Sequence, residues 1–195
     1  MTKTNLINNL LSERFRFQNK SDVDIFYDLV FCILVPGCKF KKVTEIVDKL
    51  KENDFYFANF SVKKIEEMIK TLRFWKRKAR YLKDMRYVFP AICQLIKSEI
   101  DWESKRGILV RQVGGLGMKA ASHFLRNMGA RDLAILDVHI LRYLKYDKFR
   151  MTIRDYLRLE EEFRIKAKEQ DMGVAELDAL IWARESGTPL KEFNY

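Results

Sequence analysis

The sequence predicts an all-α protein. Apolar residues recur at the 3.6-residue period of a helix along most of the chain, and alternating runs long enough for a sheet are missing. Only three prolines interrupt the 195 residues, and there is no internal repeat, low-complexity segment or linker. With 48% hydrophobic and 33% charged residues, the composition is that of a globular protein. Its length suits one domain, or two lobes that share a cleft.

The first half of the chain predicts at least four helices. The first runs from Asp22 to Leu34, where Pro36-Gly37 follows as a stop signal. Ser61 begins a third helix, and the stretch from Ala79 to Ile96 supplies one or two more. The second helix is marked by apolar residues at helical spacing: Val43, Ile46, Val47 and Leu50.

The second half predicts three helices with recognisable ends. Residues 118–128 form the first, and Gly129 is suited to the position just past its end. Thr152 and Asp155 resemble a capping box at the start of the next helix, which Gly173 is expected to end. The last runs from about Val174 to Ser186 and stops before Gly187 and Pro189. In the 118–128 helix, one face is apolar: Ala121, Phe124, Leu125 and Met128.

A glycine hairpin ending in a lysine points most directly to a function. Residues 113–119 read Val-Gly-Gly-Leu-Gly-Met-Lys. Glycines let the backbone approach a phosphate closely, and a helix that begins just after them directs free N–H groups at the same anion. The segment therefore predicts a grip on a DNA backbone.

Lys119 and Asp137 together add a covalent mechanism to that grip, because an amine nucleophile needs a group that activates it. Lys119 could be one more surface lysine on a basic protein. A lysine at the positive end of a helix is electrostatically unfavourable, however, which favours a functional role. The polar side of this helix is expected to face a cleft or solvent: Lys119, Ser122, His123 and Arg126.

Asp137 can be interpreted in two ways. It precedes the apolar run that begins at Val138, so it is a good N-cap whose carboxylate need only satisfy backbone N–H groups. Its separation from Lys119 also allows the chain to bring it back to the lysine, where a rigid, ionised carboxylate would stabilise positive charge on a sugar. Both roles can hold at once.

The charge balance indicates a polyanionic partner without proving one. The net charge is +10, which favours nucleic acid, although a basic protein with scattered lysines has the same total. No stretch resembles a signal peptide or a membrane span, and three cysteines suit a reducing compartment, so we expect a cytosolic protein. Cys32, Cys38 and Cys93 are too few for four-thiolate ligation of an iron–sulfur cluster, so no cofactor is expected.

Several sequence blocks resemble a known superfamily. Gly114-Gly115-Leu116-Gly117-x-Lys119, followed by Leu136-Asp137-x-His139, resembles the signature of the helix–hairpin–helix DNA glycosylases. The longer strings around residues 115–129 and 134–141 are similar to the small archaeal and bacterial 8-oxoguanine DNA glycosylase/AP lyases. Leu180 to Gly187 is also similar to that family, as is Arg73-Phe74 with Lys78-Ala79-x-Tyr81.

This resemblance implies a bifunctional base-excision-repair enzyme acting on double-stranded DNA that contains 8-oxoguanine or abasic sites. Lys119 would attack the sugar C1′ of a flipped nucleotide and form a Schiff base, after which β-elimination nicks the strand. Asp137 would stabilise the sugar cation and assist proton transfer. His139 would bind a phosphate, although an ordinary helix-surface histidine is the alternative. The other residues implied to bind DNA are Gly115, Gly117, Met118, Arg73 and Lys78.

The resemblance also implies a pocket for the base. Trp182 would stack on the extruded purine, a plain core tryptophan being the alternative, and Phe74 and Trp75 would form the opposite wall or a strand-splaying wedge. Relatives hold a monovalent cation through hairpin carbonyls once DNA is bound. Here those carbonyls would belong to Arg111, Val113 and Gly115.

The chain departs from the family in two places. Relatives often end at the lysine that corresponds to Lys191, whereas residues 192–195 continue here, and we expect Phe193 to Tyr195 to fold back near Trp182. Residues 35–39 read Val-Pro-Gly-Cys-Lys where relatives usually place Asn, Gln or Ser. In relatives the terminal carboxylate of that lysine helps to read the base, so either the tail replaces it here or recognition differs. The departure at residues 35–39 bears on lesion and opposite-base preference more than on the chemistry.

The implied fold has two helical lobes flanking a DNA-binding cleft. Residues 21–131 would form a helical barrel bearing the helix–hairpin–helix motif, and residues 1–20 with 132–195 a second lobe, in a monomeric protein. Lys119 and Asp137 would meet at the cleft. Two alternatives remain at this point: a glycosylase of the same superfamily for another oxidised base, and a non-catalytic DNA-binding module.

Overall fold

The computed structural model describes residues 20–147 and 151–186, and within them it contains helices, turns and loops but no strand. The predicted all-α class is confirmed. The helices are α1 Asp22–Leu34, α2 Phe40–Glu52, α3 Val62–Ile69, α4 Trp75–Lys97, α5 Trp102–Gln112, α6 Met118–Asn127, α7 Val138–Tyr143, α8 Ile153–Glu169 and α9 Val174–Ser186.

Helix α1 lies at the centre of the core in the first part of the chain. Ser21 caps it by accepting a hydrogen bond from the Asp24 N–H, and the Asp24 carboxylate completes a capping box. Ile25, Leu29 and Val30 are fully buried, and α1 packs against α2 and α4. The predicted bounds of this helix are confirmed at both ends.

Helix α4 is one continuous helix, although the sequence allowed one or two. It contains Pro90 in its interior, and it starts at Phe74, a non-glycine residue in the left-handed backbone region with φ of 61°. That conformation costs about 1–2 kcal/mol for an L-residue. Helix α3, capped by Ser61 as its spacing predicted, packs on α4.

Helices α7, α8 and α9 form the core of the second part, where α9 packs on both of the others. The capping box at Thr152 and Asp155 is confirmed. The prediction that Gly173 ends α8 is wrong. The helix stops at Glu169, Asp171 takes the left-handed conformation with φ of 53°, and the Gly173 N–H donates to Glu176 Oε2 in the first turn of α9.

The described residues divide into two compact units. One contains residues 20–124, and the other contains residues 125–147 and 151–186. The boundary falls within α6, earlier in the chain than the division at residue 131 that we expected for the lobes. The lobe boundaries therefore stay a prediction. None of the helices in the described ranges is long and apolar enough to cross a membrane.

Candidate nucleic-acid interface and catalytic residues

The glycine hairpin between α5 and α6 packs on the ring of Tyr81. Val113 and Leu116 are buried at its two ends, and the Leu116 N–H donates to the Val113 carbonyl at 3.2 Å. A Cβ added at Gly114 or Gly115 would lie 2.6 or 2.5 Å from ring carbons of Tyr81, and Gly115 also has φ of +84°. Packing therefore requires both glycines, independently of any ligand. Sequence reasoning gave Tyr81 no role, although it lies in one of the family-like blocks.

Gly117 differs from the other two glycines because a Cβ placed there would meet nothing within 4 Å. It is exposed, and its carbonyl accepts the N–H of Ala121 as the first turn of α6 forms. The N–H groups at the start of this turn have no partner within the helix, so they can bind an anion. The space beside the Gly117 Cα is therefore open to an external partner, as close approach of a phosphate requires.

We predict that two alanine substitutions in this hairpin affect different properties, one the stability of the protein and the other its DNA binding. Gly115→Ala should lower the free energy of unfolding by about 1–3 kcal/mol, because the methyl group meets Tyr81 and the backbone is left-handed. Gly117→Ala should leave stability almost unchanged but weaken DNA binding. Thermal unfolding and fluorescence anisotropy with a DNA duplex measure the two effects. A destabilised Gly117→Ala protein with normal DNA affinity would contradict this assignment.

Lys119 lies in the first turn of α6 with its side chain exposed. Burial raises the pKa of the Cys32 thiol on α1, and the positive charge of Lys119 opposes part of that rise. The amine therefore lies close enough to α1 to influence a buried group, while it remains accessible to solvent. That combination is what a nucleophilic lysine needs.

The rest of the polar strip on α6 is buried, so our prediction that it faces a cleft or solvent is wrong for three of its four residues. Ser122 accepts a hydrogen bond from Arg106 Nη1 at 3.0 Å, and His123 meets Phe31 edge-on with ring centroids 6.0 Å apart. The third, Arg126, forms a buried ion pair that is described below. Polar side chains at these positions make contacts inside the protein.

The start of α4 presents an exposed aromatic ring among cations. Phe74 is 48% exposed, and the guanidinium carbons of Arg73 and Arg77 lie 4.6 and 5.1 Å from its ring centroid. Trp75, half-buried, has Lys76 Nζ 5.2 Å from its ring. Exposed rings beside guanidinium groups can stack on bases and attract phosphates. A left-handed phenylalanine is a form of local strain that is common at functional sites.

Lys78 does not belong to this exposed group, and its burial counts against the DNA-binding role that we predicted for it. Its side chain is buried, and Nζ donates to the carbonyls of Leu34 and Pro36 at 2.6 and 2.9 Å and lies 3.2 Å from Cys38 Sγ. Its three donors are thus used inside the protein. Lys78 holds the Val35–Lys39 loop, the segment whose composition departs from that of relatives.

A pocket of about 370 Å³ lies between this loop, the start of α4 and the hairpin. It is lined by Ile33, Pro36, Gly37, Phe74, Arg77, Lys78, Tyr81 and Gly115. The loop and the hairpin therefore border the same concave surface within residues 20–124. The sequence did not indicate this, because the three segments are far apart along the chain.

Arg73 and Lys78 should respond differently to neutralisation. Arg73→Gln should reduce the salt dependence of DNA binding by the contribution of about one phosphate, since its guanidinium is exposed. Lys78→Met should leave that salt dependence unchanged and lower thermal stability instead, because it removes buried hydrogen bonds. The measurement is DNA affinity across a series of salt concentrations. If the plot of log affinity against log salt concentration had the same slope for both variants, the prediction would be contradicted.

Asp137 is the N-cap of α7, as predicted. Its Oδ1 accepts the N–H groups of His139 and Ile140 at 2.8 and 3.0 Å. No residue in the described ranges hydrogen-bonds Oδ2, so one carboxylate oxygen remains for a substrate. His139 is half-buried, and its Nδ1 is shielded from water with no partner among the described atoms.

Trp182 is half-buried on α9, one turn after Asp178 and one turn before Glu185. Of these neighbours, Asp178 is buried and paired with Arg126 at 3.0 Å. Glu185 pairs with Arg142 at 2.8 Å. Stacking of Trp182 on a base stays a prediction, and Lys191 and the tail at 192–195 lie outside the described residues.

The described residues contain no cluster of three or more His, Cys, Asp or Glu side chains that could hold a metal ion. A monovalent cation held by the hairpin carbonyls of Arg111, Val113 and Gly115 stays a prediction. All three cysteines carry free thiols.

Known proteins share this arrangement of helices. The structure superposes on a crystal structure of Methanocaldococcus jannaschii 8-oxoguanine glycosylase/lyase in complex with 15mer DNA containing 8-oxoguanine. The TM-score is 0.83 at 30% identity, covering 94% of this chain and 91% of the other. A trapped endonuclease III–DNA covalent intermediate also matches, with a TM-score of 0.57 at 15% identity, covering 95% and 88%. The fold is that of the helix–hairpin–helix DNA glycosylases.

Sequence comparison narrows the class to a family. The family model described as 8-oxoguanine DNA glycosylase matches residues 7–172. The 8-oxoguanine DNA glycosylase/AP lyase of Methanocaldococcus jannaschii is 33% identical over 194 residues, which cover 95% of this chain and 92% of that protein. The chain therefore belongs to the 8-oxoguanine DNA glycosylase family.

Proposed function

We propose that this protein excises 8-oxoguanine from double-stranded DNA and then cuts the strand at the abasic site. The observation that carries the proposal is the exposed Lys119 in the first turn of α6, directly after a hairpin whose Gly117 is open to an external partner. A helix start of this kind holds a phosphate, and an amine beside it is placed to attack the attached sugar. Family membership supplies the lesion.

The reaction follows from the amine and the carboxylate. The lone pair of Lys119 Nζ attacks C1′ of the flipped nucleotide, the glycosidic C–N bond breaks, and the base leaves with a proton. The sugar ring then opens to a protonated Schiff base. Removal of a C2′ proton expels the 3′ phosphate oxygen, which breaks the strand. Asp137 stabilises the positive charge that develops on the sugar and accepts the proton that Nζ must lose.

Other residues are proposed to hold the DNA around this chemistry. Hairpin N–H groups near Gly117 and Met118 grip the backbone, and His139 binds a second phosphate. The start of α4 contacts the opened duplex. There the Arg73 guanidinium supplies positive charge, and the rings of Phe74 and Trp75 supply stacking surface. Trp182 stacks on the extruded purine. The protein acts as a monomer in the prokaryotic cytosol, without an iron–sulfur cluster.

Borohydride trapping tests the proposal, because borohydride reduces the Schiff base to a stable covalent adduct. The protein should be incubated with four matched duplexes that carry 8-oxoguanine, an oxidised pyrimidine, a pre-formed abasic site or no lesion. An adduct on the 8-oxoguanine duplex supports the proposal, and an adduct on the oxidised pyrimidine alone favours the second candidate, a glycosylase for another oxidised base. Tight binding with no adduct on any duplex, a pre-formed abasic site included, would indicate a non-catalytic DNA-binding module.

A further inference from the structure

The segment that leads to Asp137 is buried although it has no regular secondary structure. Leu133, Ala134, Ile135 and Leu136 are all almost inaccessible to solvent, and residues 133–137 form neither helix nor strand. Buried backbone groups outside regular structure cannot bond to water, so each needs a partner from the protein. The partners found here are side chains from three helices.

Two of these side chains form a buried ion pair. Arg126 on α6 and Asp178 on α9 are both about 2% exposed at their side chains, and Nη1 lies 3.0 Å from Oδ2. The same Nη1 donates to the Leu133 carbonyl at 3.0 Å. The Ile135 N–H lies near the Asp178 carboxylate and lowers its pKa. The ion pair therefore holds the segment through the hydrogen bond from Arg126 to the Leu133 carbonyl.

Two further side chains come from α8. Glu160 Oε1 accepts the Ala134 N–H at 2.9 Å. The Tyr156 hydroxyl donates to the Ala134 carbonyl at 2.7 Å and accepts the Leu136 N–H at 3.5 Å. We call the four side chains Arg126, Tyr156, Glu160 and Asp178 the polar frame. It bonds the backbone of Leu133, Ala134 and Leu136, and the residue after Leu136 is Asp137.

Stability does not explain why the ion pair is present. Burial raises the pKa of Asp178 from 3.8 to about 6, because desolvation outweighs the attraction of Arg126, and the charge of Asp137 adds to the rise. A carboxyl with a raised pKa favours the folded state when protonated, and that contribution is lost as the pH rises through about 6. At neutral pH, above this pKa, burial of the ionised Asp178 carboxylate therefore lowers the free energy of unfolding. In general, replacing a buried ion pair by well-packed apolar residues of similar size is often neutral or stabilising, so stability alone does not require the pair.

We infer that the polar frame is a positioning device that fixes the carboxylate of Asp137 by holding residues 133–136 from three helices. The inference rests on the proposed role of Asp137 in the reaction. The N-cap bonds already fix Oδ1 relative to the start of α7. The polar frame in turn fixes the backbone just before Asp137, and so it determines the position of Oδ2. None of the four frame side chains needs to touch DNA.

A double-mutant cycle tests the inference. Tyr156→Phe removes two frame bonds with almost no change in shape, and Arg126→Met removes the anchor of Leu133 from a different helix. Each should slow single-turnover excision of 8-oxoguanine by ~10²-fold in the parent, the loss typical of a misplacement of about 1 Å. In an Asp137→Asn background, the same two substitutions should have almost no further effect. DNA affinity should stay at the parent value throughout.

Lys105→Met is the matched control, because Lys105 is also buried and donates to the backbone carbonyls of Ile96 and Ser98 outside the frame. It should lower stability without slowing excision. Equal losses of rate in the parent and Asp137→Asn backgrounds for the frame variants would overturn the inference, as would a normal rate for both.

A second readout does not depend on activity. Amide hydrogen exchange at Ala134, Ile135 and Leu136 should be slow in the parent and faster in each frame variant. In the Lys105→Met protein it should stay slow. Unchanged exchange in the frame variants overturns the inference even if the parent proves inactive on 8-oxoguanine DNA, a result that would refute the proposed function separately.

Discussion

Replacing Lys119 by glutamine is expected to abolish base release and strand cleavage together while leaving DNA affinity close to that of the parent. Glutamine keeps the length and polarity of the side chain but has no amine lone pair to attack C1′. The loss in single-turnover rate should be on the order of 10⁴-fold or more, as for other removed nucleophiles. Lys119 is exposed, so the substitution should not affect folding.

This result would be measured with an 8-oxoguanine duplex, quantifying released base and nicked strand from the same reaction. Lys63→Gln serves as the control, because Lys63 is also exposed and lies on α3, away from the hairpin. The control should retain both activities. If Lys119→Gln released base at the parent rate but no longer nicked the strand, water rather than lysine would be the attacking group, and the Schiff-base mechanism would be wrong for the first step.

Asp137→Asn is expected to have the second-largest effect. The amide oxygen can still accept the N–H groups of His139 and Ile140, and asparagine is as good an N-cap as aspartate, so α7 should remain intact. The negative charge beside the reacting sugar is lost, which should slow excision by about 10²–10⁴-fold. Thermal unfolding and DNA affinity should stay near the parent values.

Asp137→Ala separates the two roles of this residue. It removes the cap as well as the charge, so it should lower the free energy of unfolding by about 1 kcal/mol in addition to slowing excision. If Asp137→Asn retained full activity, the carboxylate would be a structural cap alone. A parallel loss of stability in both variants would instead mean that the charge itself supports the fold.

The sequence predicted helices well wherever a local signal was sufficient. The apolar period predicted the bounds of α1, and Asp137 was correctly assigned as the N-cap of α7, because both signals lie within a short stretch of the chain. The end of α8 was predicted wrongly for a related reason. A glycine is the usual signal for a helix end, but Asp171 took the left-handed position here, two residues before Gly173.

The sequence analysis failed mainly to predict which polar side chains are buried, because their partners come from distant parts of the chain. Lys78 is bonded to carbonyls more than 40 residues away in the sequence, and nothing local distinguishes it from the exposed Arg77. A usable signal did exist for the polar frame. Glu160 falls within the apolar stripe of α8, and Asp178 falls within that of α9. An acid at a core position indicates a buried hydrogen-bonding role.

If Asp137 is both the cap of α7 and the catalytic carboxylate proposed above, an evolutionary consequence follows. Because an amide caps α7 as well as a carboxylate does, a single codon change could silence the chemistry without unfolding the protein. Exposed Lys119 could be lost at equally little cost to the fold. Descendants of such a protein could therefore drift from repair enzyme to passive reader of damaged DNA, and the frame residues, freed from catalytic selection, should be among the first to diverge.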